Sequence, residues 1–246
     1  MIKFFRKIRY DLMEQNKTTK YFKYAIGEII LVVIGILIAL QINNWNENQK
    51  KAQIKQTCIQ NLINDISKDT LQLKARLDLN YTHLNGIDSI ITFMNKPSSD
   101  VKSIFNFIKS INAFTGLRVV NNYNDNTFNL LISGGNIDLF SNDFTNELME
   151  LNRLQETEQR VSNGNSAHYF ETLNNYRLKF YNSDFIDNKA LDKALWEGKN
   201  PSDAVSLFSN MKNQQAHTVR RYIELTELVL KKSTAVLEQL TTGKDL

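Results

Sequence analysis

Three features of the sequence predict an all-α protein, in which an N-terminal transmembrane helix continues into an extracytoplasmic helical bundle with long antiparallel helices. Residues 24–45, YAIGEIILVVIGILIALQINNW, contain an unbroken apolar stretch. Much of the following sequence repeats apolar residues at spacings of three and four, the period of an amphipathic helix. The 246 residues include only 2 prolines and 9 glycines, so few helix-breaking positions interrupt this pattern.

The apolar stretch has the length of a membrane-spanning helix. At about 1.5 Å per residue, a helix over residues 24–45 extends for roughly 30 Å, the thickness of a bilayer's hydrocarbon core. Aromatic residues suited to the membrane–water interface lie at its two ends, and they are Tyr21, Phe22, Tyr24 and Trp45. A cleaved signal peptide is the competing interpretation, but the preceding segment is long and LIALQINN offers no small-residue cleavage site. We therefore predict an uncleaved signal anchor.

The distribution of charge predicts the orientation of the chain. Residues 1–42 contain 7 basic and 3 acidic side chains and carry a net charge of +4, whereas the rest contains 23 of each and is neutral. The positive-inside rule makes residues 1–23 a short basic amphipathic segment in the cytoplasm and residues 46–246 a periplasmic helical domain. The predicted location is the bacterial inner (cytoplasmic) membrane, with a single span. The lipid bilayer is a predicted partner and nucleic acid is not, since the neutral domain shows no basic excess.

Two features inside the span are candidates for contact with another membrane helix. Gly35 and Ala39 form a small-xxx-small pair that allows two helices to approach closely, although both residue types are common in spans. Glu28 lies about one turn inside the cytoplasmic boundary. Its carboxylate either contacts a partner protein, or reaches the lipid headgroups or pairs with Lys20 or Lys23.

Two stretches of sequence resemble a known family. Residues 20–47, KYFKYAIGEIILVVIGILIALQINNWNE, resemble the N-terminal signature of an uncharacterised family of single-span bacterial envelope proteins of unknown function. Residues 127–142, TFNLLISGGNIDLFSN, are similar to that family's internal pattern of an aromatic residue, a Ser-Gly turn and hydrophobic-polar alternation. Ser133-Gly134-Gly135 stands where the family has Ser-Ser-Gly, a departure that keeps the turn. The resemblance implies a single span and a helical exported domain, and it implies no activity.

One long helix is predicted from the span to Pro97. No glycine or proline occurs between Ile36 and Asn85, and the apolar residues that follow the span fall on three- and four-residue steps. Asp69 and Asn80 interrupt this stripe. The interruptions favour packing within a bundle over a two-stranded coiled coil.

The remaining helices are predicted over residues 101–114, 127–132, 142–180, 187–196 and 201–240. Asp100 and the Asn200-Pro201 pair are typical helix starts. The predicted ends of the two shortest early helices lie at Gly116 and at Gly134-Gly135. A loop over 117–126, with a brief strand at 118–120, separates them, and Asn163-Gly164-Asn165 is a candidate break in the 142–180 helix.

The residue patterns predict no catalytic, cofactor-binding or metal-binding site. His83, His168 and His217 are isolated from each other and from cysteine or paired carboxylates at ligand spacing, so we interpret them as solvated. Gly134-Gly135-Asn136 lacks the spacing of a phosphate-binding loop and is typical of a helix end with a left-handed glycine. No elbow or triad order typical of nucleophilic catalysis is found. We therefore predict no cofactor and no enzymatic activity.

Cys58 is the only cysteine, so a disulfide within the chain is excluded. In an oxidising compartment a single cysteine can link two copies of a protein. Cysteine is also frequently a small buried apolar residue. Cys58 is thus a candidate for an intermolecular disulfide, with a structural role as the alternative.

One aromatic group and one charged group require interpretation. The aromatic group consists of His168, Tyr169, Tyr176, Phe180 and Tyr181. It either lines a ligand pocket or forms part of the core, and its helical spacing favours the core. The charged residues that we expect on solvated helix faces are Glu156, Glu158, Arg220, Arg221, Glu224 and Glu227.

These patterns favour a non-enzymatic, membrane-anchored interaction or scaffold module of the bacterial cell envelope. Its helical domain is expected to bind a protein partner or to associate with itself. The alternative is a ligand-binding sensor domain on a membrane stalk, because helical bundles bind small molecules and a continuous helix can transmit a shift.

Overall fold

The computed structural model describes residues 6, 7, 10, 18–111, 117, 122–180, 188–244 and 246, with the side chains of 18–21 excepted. Within this part of the chain all regular structure is helical and no strand is found. The α-helices are α1 (Thr18–Met94), α2 (Val101–Ser110), α3 (Asn126–Ser133), α4 (Asn142–Lys179), α5 (Lys189–Trp196) and α6 (Pro201–Thr242). A 3-10 helix, Asn136–Leu139, lies between α3 and α4. The predicted all-α fold with a long apolar N-terminal helix is confirmed.

The chain divides into two compact units, Met1–Thr57 and Cys58–Leu246. In the first unit, the side chains of residues 29–54 are all exposed, although residues 29–40 are entirely apolar or glycine. Helix α1 contains a segment that is long and apolar enough to cross a membrane, and none of that segment is buried. The first unit is therefore compatible with a single-pass membrane anchor.

The second unit has two separate apolar clusters, and α1, α4 and α6 contribute to both. The Tyr176 cluster contains Leu77 and Ile87 of α1, together with Tyr176 of α4 and Phe208 of α6. The Phe144 cluster is built around other parts of the same helices, and its buried members include Leu62, Leu73, Phe144, Leu148, Val229 and Val236. Each long helix thus buries apolar side chains at two levels along its length.

Helix α6 runs antiparallel to both α4 and α1, and these two are parallel to each other, because Asp69 contacts Gln155 and Arg76 contacts Glu158. Tyr222 of α6 contacts Ser166 of α4, whereas Lys232, further along α6, donates to Glu147 near the start of α4. Residue numbers therefore rise along one helix as they fall along the other, which is the antiparallel arrangement that we predicted. Helices α1 and α6 are antiparallel by the same criterion, because Thr226 contacts Arg76 and Arg220 contacts Asp88.

The helix starts agree with the capping residues in the sequence. The Asp100 side chain accepts from the Ser103 backbone N–H at 2.8 Å, and the Asn200 side chain accepts from the Ser202 N–H at 2.9 Å. These bonds satisfy backbone donors that have no partner within the first turn of a helix. Gly135 has a φ of 66°, which confirms the predicted left-handed glycine after α3.

One predicted helix boundary is wrong. Helix α2 ends at Ser110 and not at 114, because Ile111 is in an extended conformation with φ −114° and ψ 149°. Helix α4 continues through the candidate break at Asn163-Gly164-Asn165, and Ser162 and Ser166 on either side of Gly164 are buried against the rest of the unit. The predicted helix end at Gly116, the strand at 118–120 and the aromatic Tyr181 lie outside the described residues.

Replacing Gly164 with alanine is expected to raise the free energy of unfolding by about 0.5–1 kcal/mol, because glycine inside a helix loses more backbone entropy on folding than alanine does. An added Cβ at this position meets no atom within 4 Å. Denaturant unfolding of the purified full chain in detergent measures the change.

Gly135→Ala is the matched control for this substitution. A Cβ at Gly135 also meets no atom within 4 Å, but the positive φ is unfavourable for alanine by about 1–2 kcal/mol. Gly135→Ala is therefore expected to lower the free energy of unfolding, whereas Gly164→Ala is expected to raise it. Destabilisation by Gly164→Ala would contradict a continuous α4.

Candidate functional site

The residues predicted to meet the membrane lie on the exposed part of α1. Phe22, Tyr24 and Trp45 are exposed, whereas the side chain of Tyr21 lies outside the described residues. A Cβ added at Gly35 would meet no atom within 4 Å, and Ala39 is exposed as well. The surface is therefore available to lipid or to another helix, and contact through Gly35, Ala39 and the half-exposed Glu28 stays a prediction.

Cys58 lies at the edge of the Phe144 cluster. Its side chain is half-buried and packs against that cluster, and the thiol forms no disulfide. Burial raises the pKa of the Cys58 thiol, which lowers the reactive thiolate fraction near neutral pH. Packing against the core fits the structural interpretation of Cys58, and the intermolecular disulfide stays a prediction.

A buried polar layer separates the two apolar clusters, and we define it as Arg76, Tyr123, Glu158, Ser162 and Thr226. Arg76 is on α1, Glu158 and Ser162 are on α4, and Thr226 is on α6. Tyr123 belongs to residues 122–125, which we call the segment before α3. The layer thus joins the three long helices to the α3 region through side-chain contacts alone.

The centre of the layer is a buried ion pair. The Arg76 Nη2 atom lies 3.1 Å from Glu158 Oε1, and the side chains of Arg76 and Glu158 are 10% and 0% exposed. Arg76 Nη2 also donates to the Thr226 hydroxyl at 2.6 Å. A single guanidinium therefore connects α1 to both α4 and α6.

Both carboxylate oxygens of Glu158 accept hydrogen bonds. The Ser162 hydroxyl donates to Oε1 at 2.9 Å, and the Tyr123 hydroxyl donates to Oε2 at 3.0 Å. Burial raises the pKa of the Tyr123 phenol, so this hydroxyl stays protonated and can only donate to the carboxylate. Desolvation of Glu158 is thus offset by one cation and two hydroxyl donors.

The predicted solvated position of Glu158 is wrong. Residues 151, 155, 158, 162, 166 and 169 of α4 are all buried and follow one another at steps of three and four. The polar members of this series therefore continue the inward-facing stripe of Leu151 and Tyr169. The spacing of these residues could have indicated that Glu158 is buried, but residues 155–166 are so polar that the inward-facing stripe was not recognised there. Glu156 and Glu224 are exposed, as predicted.

A second buried carboxylate, Asp69, holds the segment before α3 against α1. It accepts from the Asn124 backbone N–H at 3.1 Å and from Asn124 Nδ2 at 2.6 Å. Gln155 Nε2 of α4 donates to its other oxygen at 3.3 Å. Burial raises the pKa of the Asp69 carboxyl, although the hydrogen bonds from Asn124 act in the opposite direction. In the sequence, Asp69 stood out only as a polar interruption in the apolar stripe of α1.

Asn80 lies one helical turn after Arg76 and is also buried. Its Oδ1 and Nδ2 atoms have no hydrogen-bond partner among the described residues. Nearby on the α6 side, the Tyr222 hydroxyl contacts the Ser166 hydroxyl and the Ser162 carbonyl oxygen, the latter at 2.9 Å. An unpaired buried amide is unfavourable by about 1–3 kcal/mol, so Asn80 is a weak point for stability.

A polar groove opens beside the layer. It is lined by Asn122, Tyr123, Asp125, Asn152, Gln155, Glu156 and Gln159, and has a volume of about 250 Å³. One wall is the segment before α3 and the other is α4. Two of its residues, Tyr123 and Gln155, hydrogen-bond to the buried carboxylates beneath it.

The exposed surface of α3 has a different composition. We define the α3 surface as Asn126, Phe128, Asn129, Leu130, Ile132 and Ser133, which line an open depression of about 600 Å³. Leu130 is 69% exposed and Ile132 is 43% exposed, whereas Leu131 on the opposite side of α3 is buried in the Phe144 cluster. In the sequence, residues 127–133 stood out only as part of a stretch that resembles a family pattern, and nothing in that pattern indicated their exposure.

Three members of the aromatic group are part of the core, as their spacing predicted. Tyr169, Tyr176 and Phe180 are buried in the Tyr176 cluster. His168 is exposed, and its Nδ1 atom lies 3.6 Å from Oε2 of Glu171. In the same cluster, the buried Lys212 donates to Gln215 at 3.0 Å, and burial lowers its pKa to about 8. Lys212 was missed because the inward-facing stripe predicted for the helix over residues 201–240 ran through Met211 and Gln215, and Lys212 was not part of it.

The described residues contain no group of three His, Cys, Asp or Glu side chains that could hold a metal ion. The buried polar layer provides fixed charge and hydrogen bonds, and its hydroxyl groups are engaged with Glu158 and Arg76. Its evident role is to position helices. Among the described residues, the groove and the α3 surface are two concave places where another molecule can bind.

Comparison with known proteins gives a family and no activity. A family model described as "Family of unknown function (DUF6090)" matches residues 28–200. No curated protein and no solved structure matches the chain.

Arg76→Met is expected to lower the free energy of unfolding by about 3–5 kcal/mol, because Glu158 would remain a buried carboxylate without its cation. Adding Glu158→Gln is expected to recover part of this loss, since a neutral amide requires no cation and its oxygen still accepts from Tyr123. Denaturant unfolding of the full chain measures both changes.

Arg220→Met is the matched control for the buried pair. It removes an ion pair with Asp88 whose side chains are 56% and 42% exposed, so the expected loss is below about 1 kcal/mol. Equal losses for Arg76→Met and Arg220→Met would show that the buried pair has no special importance.

Proposed function

We propose that this chain, which belongs to the DUF6090 family of unknown function, is a non-enzymatic, membrane-anchored interaction module whose helical unit binds a protein partner. The observation that carries the proposal is the α3 surface, where Leu130 and Ile132 are exposed beside an open depression. Apolar side chains grouped at a surface depression are typical of interaction sites.

The composition of the α3 surface favours a protein over the lipid surface as its partner. Its described lining contains apolar side chains, carboxamides and a hydroxyl, and contains no charged group. Membrane-surface sites usually carry lysine or arginine that attracts anionic headgroups. The centres of protein interfaces are instead depleted in charge and combine apolar anchors with neutral hydrogen-bonding groups. We therefore assign Leu130 and Ile132 as anchors that a partner protein covers.

The proposed location is the bacterial inner membrane, with the first unit as an uncleaved anchor. The exposed apolar side chains of residues 29–42 support membrane insertion, because a soluble protein would bury them. The excess of lysine and arginine before residue 24 supports a cytoplasmic N-terminus and a periplasmic helical unit. In this arrangement the α3 surface binds its partner in the periplasm.

A ligand-binding sensor is the second candidate function. The polar groove between α4 and the segment before α3 favours it, because this groove is lined by convergent polar side chains that buried contacts hold in place. The groove and the α3 surface do not share a described lining residue, so the two functions can be tested separately.

Photo-crosslinking from the α3 surface tests the proposed partner. With p-benzoylphenylalanine in place of Leu130 or Ile132, illumination of intact cells is expected to give one protein adduct at both positions. The same group at Leu178, which is 84% exposed on α4, is the matched control and is expected to give no such adduct. Mass spectrometry identifies the adducts.

Leu130→Asp completes this test. Together with the crosslinker at Ile132, it is expected to reduce the adduct yield at least fivefold, because a carboxylate in an apolar interface is unfavourable. Exclusively lipid adducts, or the same adducts from Leu178 as from Leu130, would contradict a protein partner at this surface.

Labelling with a membrane-impermeant maleimide tests the proposed topology. In a Cys58→Ala background, Thr234→Cys on the exposed side of α6 is expected to react in intact spheroplasts. Tyr10→Cys, which is also exposed, is expected to react only after the membrane is permeabilised. The reverse pattern would place the helical unit in the cytoplasm.

A further inference from the structure

We propose that the polar groove binds a neutral polyhydroxyl ligand of the size of one sugar ring. This inference deepens the second candidate function and is independent of protein binding at the α3 surface. It depends on how the groove is built, on the polar groups that line it, and on its volume.

Buried contacts hold both walls of the groove. On the side of the segment before α3, Asn124 donates twice to the buried Asp69, and the Thr127 hydroxyl donates to Asp65 at 2.5 Å. On the α4 side, the buried Gln155 donates to the same Asp69 carboxylate. The groove is therefore fixed by the core of the unit and does not need to form on binding, which reduces the entropic loss of binding.

Tyr123 is the aromatic residue that lines the groove. Its hydroxyl donates to the buried Glu158, and Glu158 is in turn paired with Arg76. The phenol ring is thus held in one orientation while it lines the groove. A fixed aromatic ring offers an apolar surface to the C–H groups of a sugar ring.

The polar groups of the groove match hydroxyl groups. The four carboxamides belong to Asn122, Asn152, Gln155 and Gln159. One N–H of Asn152 donates to Glu156 at 2.8 Å and one of Gln155 donates to Asp69, and each of these amides has a second N–H and a carbonyl oxygen as well. The carboxylates of Asp125 and Glu156 supply acceptors only. A ligand hydroxyl donates and accepts at once, so it can satisfy both kinds of group.

Other ligand classes fit this lining less well. An anion is disfavoured, because the described lining includes two carboxylates and no lysine or arginine. A metal ion is disfavoured, because the described residues offer no cluster of three suitable ligands. An alkylammonium group only donates, so it would leave the carboxamide N–H groups without an acceptor.

The volume of the groove limits the size of the ligand. Its volume of 250 Å³ is the volume that about eight water molecules occupy in the liquid. One sugar ring or a short polyol fits this space, whereas an extended oligosaccharide would leave most of its length outside. The site therefore recognises a single ring or a terminal unit of a longer chain.

Saturation-transfer NMR with the full chain in detergent micelles tests the proposal. The probes are glucose, N-acetylglucosamine and glycerol, with putrescine and methylphosphonate, whose C–H protons the method observes, as chemical controls. At least one polyhydroxyl probe is expected to give a saturable signal, and the two charged probes are expected to give none.

Variants of Asn152 assign this signal to the groove. Asn152→Ala removes one hydrogen-bonding carboxamide and is expected to weaken binding about threefold to tenfold. Asn152→Trp fills the groove and is expected to abolish binding. Asn175→Ala, at an exposed position further along α4, is the matched control and is expected to leave binding unchanged.

Three outcomes would overturn the proposal. They are the absence of a saturable signal from every polyhydroxyl probe, an undiminished signal in a folded Asn152→Trp variant, and saturable binding of putrescine alone. Crosslinking from Leu130 in the Asn152→Trp variant separates this site from the proposed function, because that adduct is expected to persist when sugar binding is lost.

Discussion

The Arg76–Glu158 ion pair is the contact on which the arrangement of the helical unit depends. It joins α1 to α4, and the same guanidinium reaches Thr226 on α6. Breaking a buried ion pair leaves an uncompensated charge and is strongly unfavourable, whereas an apolar contact can be replaced by another at small cost. The pair therefore discriminates between helix registers in a way that the leucines and valines on either side cannot.

The position of this pair explains the two-cluster core. Long helices with a uniform apolar stripe can slide by one turn and still bury similar area. Here the stripe of each long helix changes from apolar to polar and back, at Arg76 of α1, Glu158 of α4 and Thr226 of α6. Only one alignment brings these residues together. Our hypothesis is that the polar layer sets the alignment and that the Tyr176 and Phe144 clusters supply most of the stability, and comparison of Arg76→Met with the Arg76→Met/Glu158→Gln double variant tests it.

The sequence predicted the helices better than it predicted their contacts. Capping by Asp100 and Asn200 depends on neighbouring residues, so these helix starts could be read directly. Burial of Glu158 depends on Arg76, which is 82 residues away in the chain. No local pattern connects the two. The sequence also left open whether Gly164 breaks α4, and it could not decide this because the outcome depends on tertiary packing of the flanking serines.

The groove and the α3 surface were beyond sequence reasoning because each depends on the path of the segment before α3. That segment is held by Asp69, which the helical stripe marked only as an interruption. Asn124 is hydrogen-bonded to Asp69, and the neighbouring Tyr123 reaches Glu158. The residues that follow begin α3, where the Thr127 hydroxyl donates to Asp65. Two buried carboxylates of the core thus decide where the two candidate recognition surfaces lie.

Charge balance determines how these surfaces can recognise other molecules. Residues 58–246 contain 20 basic and 22 acidic groups, so the helical unit has a net charge of only −2 and attracts a partner weakly over long distances. The described linings of the groove and of the α3 surface contain no lysine or arginine either. Recognition at both places must therefore depend on short-range shape and hydrogen bonds, which in the groove include acceptors on Asp125 and Glu156. A membrane anchor suits such recognition, because it raises the local concentration of the unit beside its partners without the need for electrostatic attraction.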